Sequence, residues 1–169
     1  MRHRNHPERA HRQAICRAAV AALAAGAAAL AAPPAVAALS CTMNAPSTMV
    51  FGTYDTINAA TTAITISVNC TGNGSATPTV AASAGGGSYS NRQMTRTGGS
   101  NLLSYNLYID SAHTMIWGDG ISGGTSTISF GKLNNVSSAS ATVYGLIRGG
   151  QNVVPGAYAD HTITITFSY

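Results

Sequence analysis

Few residues of this chain could carry chemistry, and their spacing argues against each chemistry in turn. Beyond residue 37 the carboxylates are Asp55, Asp110, Asp119 and Asp160. General acid–base catalysis needs two such groups at one bond, with environments that push their pKa values apart. Nothing in the sequence pairs any two of them. His113 and His161 could each serve as a base, but no G-x-S-x-G turn supplies a nucleophile. His161, at the start of a strand pattern, reads equally well as a polar residue beside a turn. Cys41, Cys70 and two scattered histidines lack the ligand spacing of a zinc site, and there is no C-x-x-C redox pair. The expectation is therefore no catalytic residue, no metal and no cofactor. The most site-like stretch is "WGDG" (117–120), where Trp117 and Asp119 over a glycine turn would form a surface contact for a sugar. The competing reading makes Trp117 a core anchor and Asp119-Gly120 a tight turn, and the turn signature favours it.

Before these residues can be placed, the start of the chain has to be set apart. Arg2, Arg4, Arg9, Arg12 and Arg17 are followed by an alanine-rich apolar run to Ala32, then by Pro33-Pro34 and a small-x-small Ala35-Val36-Ala37. This is the pattern of an export leader cleaved after Ala37. A membrane anchor is the rival, but alanine gains little from lipid and the proline pair shortens the run. With 1–37 removed, Arg92, Arg96, Lys132 and Arg148 balance the four aspartates. The net charge of +4 thus belongs to the leader, and the domain at 38–169 has no basic patch for nucleic acid and no anchor for membrane insertion. So few charges provide little repulsion between copies, which favours association. In an exported domain the two remaining cysteines read as one disulfide, Cys41–Cys70. Lipidation of Cys41 is the alternative, and it would strand Cys70.

The elements that must position these residues are strands. "TTAITISVNC" puts Ile64, Ile66, Val68 and Cys70 on one face, and "NLLSYNLYI" alternates Leu103, Tyr105, Leu107 and Ile109 against polar residues. "STMVFG", "TSTISF" and "ATVYGLI" read as further strands. Between them lie Gly-, Asn-, Ser- and Pro-rich turns, and no stretch carries a capped helical period. Six or seven short strands of this kind predict an all-β, immunoglobulin-like sandwich. The cleanest alternation comes last: in "HTITITFSY", Ile163, Ile165, Phe167 and Tyr169 share one face. An apolar edge strand with nothing after it to cover it is an aggregation hazard.

In order along the chain, Cys41, "FGTYD" (51–55), "VNC" (68–70), "NRQM" (91–94), "LSYNLYID" (103–110), "WGDG", "VYGLI" (143–147) and "GAYADHTITITFSY" (156–169) resemble the spore coat protein U domain family. That family includes secreted coat proteins and subunits of archaic, Csu-type chaperone–usher pili. The resemblance implies a sandwich lacking its last strand. It also implies a hydrophobic groove filled first by a periplasmic chaperone and then by a strand donated by a neighbouring subunit, delivered through an outer-membrane usher to a pilus or coat. On that reading Ile163, Ile165, Phe167 and Tyr169 line one side of the groove and Met49 and Phe51 the other. The Tyr169 carboxylate would anchor in a basic cleft of the chaperone. A complete sandwich, with the last strand paired on both edges, is the alternative.

One departure bears on the role. A donor segment needs about five or six residues, and cleavage after Ala37 leaves Ala38, Leu39 and Ser40 ahead of Cys41. The expectation is a chain that accepts a strand and gives none, as a terminal, tip-like subunit or a coat component would. A secreted carbohydrate- or surface-binding module is the rival from another class, and a hydrolase the second.

Overall fold

A computed structural model describes residues 37–169; the stretch read as a leader lies outside them except for Ala37. The fold is all-β. Its strands are β1 (Ser40–Met43), β2 (Ala60–Thr71), β3 (Ser75–Ala76), β4 (Thr79–Ala82), β5 (Arg92–Arg96), β6 (Leu102–Tyr108), β7 (Ile128–Ser129), β8 (Leu133–Asn134), β9 (Ser137–Ile147), β10 (Tyr158–Ala159) and β11 (Ile165–Ser168). They form a six-stranded sheet in the order β1-β2-β9-β6-β5-β10, a three-stranded sheet β11-β4-β7 and a small β3-β8 pair, all antiparallel.

The core lies between the two larger sheets. From one side it takes Ile66, Val143, Ile147, Leu103, Tyr105, Leu107 and Met94, and from the other Val80, Ala82 and Ile128. The period of two explains it: in β2 the β-branched Ile66 and Val68 face inward while Thr65, Ser67 and Asn69 face out. Cys41 and Cys70 are directly opposite in the β1–β2 ladder and are disulfide-bonded. The two cysteines stand 29 positions apart in the sequence, and the bridge restricts the unfolded chain enough to stabilise the fold by about 3–4 kcal/mol.

Three sequence expectations are adjusted. "STMVFG" is not a strand: among the described residues, the backbone of 45–53 takes part in no ladder or backbone hydrogen bond. The last strand begins later than its alternation suggests, because Asp160 accepts from the Thr162 N–H and hydroxyl and turns the chain there. β4 and β5, which lack clean alternation, complete the sheets.

At the β6–β9 seam, pairing stops at Asn106↔Leu146. The Gln151 side chain takes over, accepting from Ser104 N–H at 2.8 Å and donating to Ser104 C=O at 2.9 Å. One amide thus stands in for a missing strand residue and closes that backbone edge.

Candidate functional site

β11 pairs with β4 on one side only, as the end strand of its sheet. Along its other side runs a cleft of about 890 Å³, walled by the unpaired segment 46–54 opposite Ile163, Ile165 and the 153–161 stretch, with Leu103, Leu107 and Ile147 in its floor. The segment is pinned at both ends. Asn44 N–H donates to Ser67 C=O at 2.9 Å. The Tyr54 hydroxyl donates to Arg148 C=O and accepts from Gln151 N–H, each at 2.9 Å. Between those anchors its side chains rather than its backbone hold it. Met49 and Phe51 settle over Gly145, where an added Cβ would come within 2.5 Å of Met49 Sδ and 2.7 Å of the Phe51 ring, and Phe51 meets Tyr105 edge-on at 6.0 Å. A glycine inside "VYGLI" is what permits this approach, a sequence signal for close backbone contact.

Four of the six residues assigned to the groove therefore line this cleft: Met49, Phe51, Ile163 and Ile165. Two do not. Phe167 packs toward both the main core and the small cluster around Cys41, Val68 and Cys70. Tyr169 is 59% exposed, tilted against Phe167 at 5.5 Å. The cleft takes only the first part of the apolar face; beyond it Phe167 turns to the core and Tyr169 stays exposed.

One end of the cleft is polar. Asp160 Oδ2 accepts from the Tyr105 hydroxyl at 2.7 Å and from Gly86 N–H at 3.0 Å, and Oδ1 from Thr162. Partial burial pulls the Asp160 pKa upward, but these hydrogen bonds outweigh it and the carboxyl sits below its ordinary value. Tyr105 is raised, by burial first and then by donating to Asp160, so it stays a phenol and a donor. The sign for stability follows from linkage. A carboxyl whose pKa is lowered by folding contributes stability that is present above its unfolded value and lost as pH falls through the folded one. Asp160→Asn, which turns an amide NH₂ toward one pair of donors, is expected to cost about 1–2 kcal/mol at neutral pH. It should also flatten the acid-induced loss of stability below about pH 4. Urea unfolding at pH 7 and pH 3 reads both effects.

The other three aspartates each hold their own turn. Asp55 accepts from Asn58 and Ile57, Asp110 from Met115 and Thr114, and Asp119 from Ser122, Ile121 and Thr125. The hydrogen bonds lower all three pKa values, led by the Asn58 side chain, the Met115 N–H and the Ser122 N–H respectively. Carboxylates held ionised inside turns are poor general acids. Among the described residues, no three His, Cys, Asp or Glu side chains come together as metal ligands.

The surface-contact reading of "WGDG" is overturned for Trp117. The indole is 1% exposed and its N–H donates to Val80 C=O at 3.0 Å; it plugs the core and leaves no ring face for a sugar. Asp119 is occupied by the turn just described. Residue-type reasoning missed Arg92, which is fully buried and, among the described residues, has no carboxylate partner. Its Nη1 donates to Asn106 Oδ1 at 2.6 Å, and Nη2 donates to Ser83 C=O at 2.8 Å and Trp117 C=O at 2.7 Å.

The fold is similar to that of a chain in the crystal structure of the CsuC–CsuE chaperone–tip adhesion subunit pre-assembly complex from archaic chaperone–usher Csu pili of Acinetobacter baumannii. The TM-score is 0.55 at 19% identity. The likeness covers 78% of this chain and 40% of that one, so this chain spans less than half of its neighbour's length. No curated protein matches the sequence. The family model described as Spore Coat Protein U domain matches residues 26–166, beginning inside the leader-like stretch and running into β11. A match that takes in β1 to β10, the unpaired 46–54 segment and the start of the edge strand beside the cleft means that this chain belongs to the Spore Coat Protein U domain family.

Proposed function

We propose that this chain is a structural subunit of a surface pilus or coat, exported through the periplasm, that completes its sandwich by accepting a strand from another protein into the cleft beside β11. One observation carries the reading: an apolar cleft bounded by two backbones, β11 and 45–53, with no ladder partner on their facing sides among the described residues. Buried backbone groups demand partners, and a strand entering this gap would find hydrogen bonds on its edges and apolar contacts beneath. The partners implied are a pilus chaperone before assembly, an usher during it and a neighbouring subunit afterwards. No cofactor enters this function. A terminal, tip-like position has its own support. Ala37 C=O accepts from Asn73 N–H, Ala38 bridges Asn73, and β1 follows at once. The residues just ahead of the disulfide are therefore already bound within the fold rather than free to be donated.

The test is periplasmic expression of the full chain with and without an archaic-type pilus chaperone, alongside the Ile163→Glu/Ile165→Glu variant. The expected result is a stable one-to-one complex for the natural chain. In the variant, affinity should fall by about thirtyfold or more, as for removal of a buried hot spot, with the Cys41–Cys70 bridge still formed. Recovery of a stable monomer whose β11 amides are protected from exchange would sink the proposal. So would a complex indifferent to the two glutamates.

A further inference from the structure

A second cleft, of about 400 Å³, opens on the outer face of the large sheet, away from the strand-accepting side. It lies between the turn at 88–91, the β6 residues Ser104, Asn106 and Tyr108, and the Leu146–Gln151 stretch. Its frame is rigid. The Asn106 amide donates to Tyr89 C=O at 2.9 Å, tying the turn to β6, and Gln151 clamps the opposite wall through Ser104. Leu146 and Ile116 supply an apolar floor.

Four polar groups around this floor have no partner among the described residues: the Asn91 side-chain amide, the Ser104 hydroxyl, the Tyr108 hydroxyl and the Arg148 guanidinium. Tyr108 is the telling one. Its residue is 4% exposed, with the ring edge-on to His113 at 5.2 Å. Yet among the described residues its hydroxyl has no hydrogen-bond partner and is not one of the fully enclosed polar atoms. The hydroxyls of Tyr54, Tyr105 and Tyr158, by contrast, each find a partner.

We infer that this cleft binds a glycan residue bearing one carboxylate. Convergent polar groups over a small apolar floor are the ordinary make-up of a small-ligand site. Hydroxyls and an amide, each able to donate and accept, match the hydroxyls of a sugar ring. Arg148 is the one charge in the lining. Among the described residues it makes no ion pair, and a guanidinium is suited to bidentate binding of a carboxylate. An acidic peptide is the poorer fit because the Ser104 backbone, the seam a strand would join, is already closed by Gln151. The inference does not depend on the strand-accepting cleft, which opens on the other side of the same sheet.

The experiment is a saturation-transfer NMR titration of the full chain, in whatever assembly it is purified, with trigalacturonate, its neutral galactose counterpart and a triglutamate peptide. Trigalacturonate is expected to bind at least about tenfold more tightly than either comparator, the value of one charge-assisted pair. Arg148→Ala should lose that advantage, and Asn91→Ala and Ser104→Ala should each weaken binding several-fold. Ile163→Glu/Ile165→Glu should leave it unchanged while weakening strand capture by about thirtyfold or more. Equal binding of the neutral trisaccharide, equal binding of triglutamate, full retention in Arg148→Ala, or no saturable binding at millimolar trigalacturonate would each overturn the assignment.

Discussion

Trp117→Ala is expected to lower stability by about 4–6 kcal/mol. Truncating a fully buried tryptophan costs about 3–5 kcal/mol through lost transfer energy and the cavity left behind. Here the indole also donates to Val80 C=O, and leaving a buried acceptor unpaired adds about 1 kcal/mol or more. Against the 5–15 kcal/mol that holds a typical domain, the variant should be largely unfolded or close to it. Trp117→Phe keeps most of the apolar volume and loses only the donor, so a cost of about 1–3 kcal/mol is expected. Denaturant unfolding followed by near-ultraviolet dichroism would measure both. A fully stable Trp117→Ala protein would mean that this side chain does not anchor the core.

Arg92→Met is the second large effect, at about 3–5 kcal/mol. Buried ion pairs are often replaceable by hydrophobic residues, but among the described residues Arg92 has no paired carboxylate to remove with it. Methionine gains some apolar contact and spares the cost of burying the guanidinium, a cost visible in its pKa, which burial draws below the ordinary value. It also leaves Ser83 C=O and Trp117 C=O without their donor and takes one of two donors from Asn106 Oδ1, which keeps the Leu107 N–H. At about 1–3 kcal/mol per buried unpaired group, the loss exceeds the gain. Arg92→Lys, with a shorter reach and a point-like ammonium, should rescue only part of it. Because Arg92 holds the carbonyl of Trp117, the two sites share one network and their double variant should cost less than the sum. Calorimetric unfolding of the two single variants and the double completes the cycle.

These two residues also bear on what was legible beforehand. Trp117 could be read two ways from "WGDG", and its turn signature pointed to the right one. Arg92 offered no signal at all, since a lone arginine in a polar stretch looks like any solvated charge. Its role depends on three acceptors from β4's end, β6 and the 117 loop, far apart in sequence. The site divides in the same manner. Met49, Phe51, Ile163 and Ile165 were visible as apolar residues in alternating or strand-like runs. Phe167 and Tyr169 share that alternation but not that place: one packs on the core and the other stays exposed, because a single face can meet different surroundings along its length. "STMVFG" has strand composition without a strand's partner, and composition cannot report whether a partner exists.

Legible in the sequence alone is the set of local choices: the all-β class, the inward faces of β2 and β6, the turns, and the pairing of the two cysteines. Each follows from side-chain period, β-branching and the φ preferences of Gly, Asn and Asp, which act over a few residues. Only the tertiary structure decided which edges remain unpaired, that Gly145 admits Met49 and Phe51, that Gln151 closes the seam beside the outer cleft, and that Arg92 lies buried without a counter-ion. Those outcomes depend on strand order and on contacts between distant segments, where free energy is set by which polar groups find partners once water is excluded.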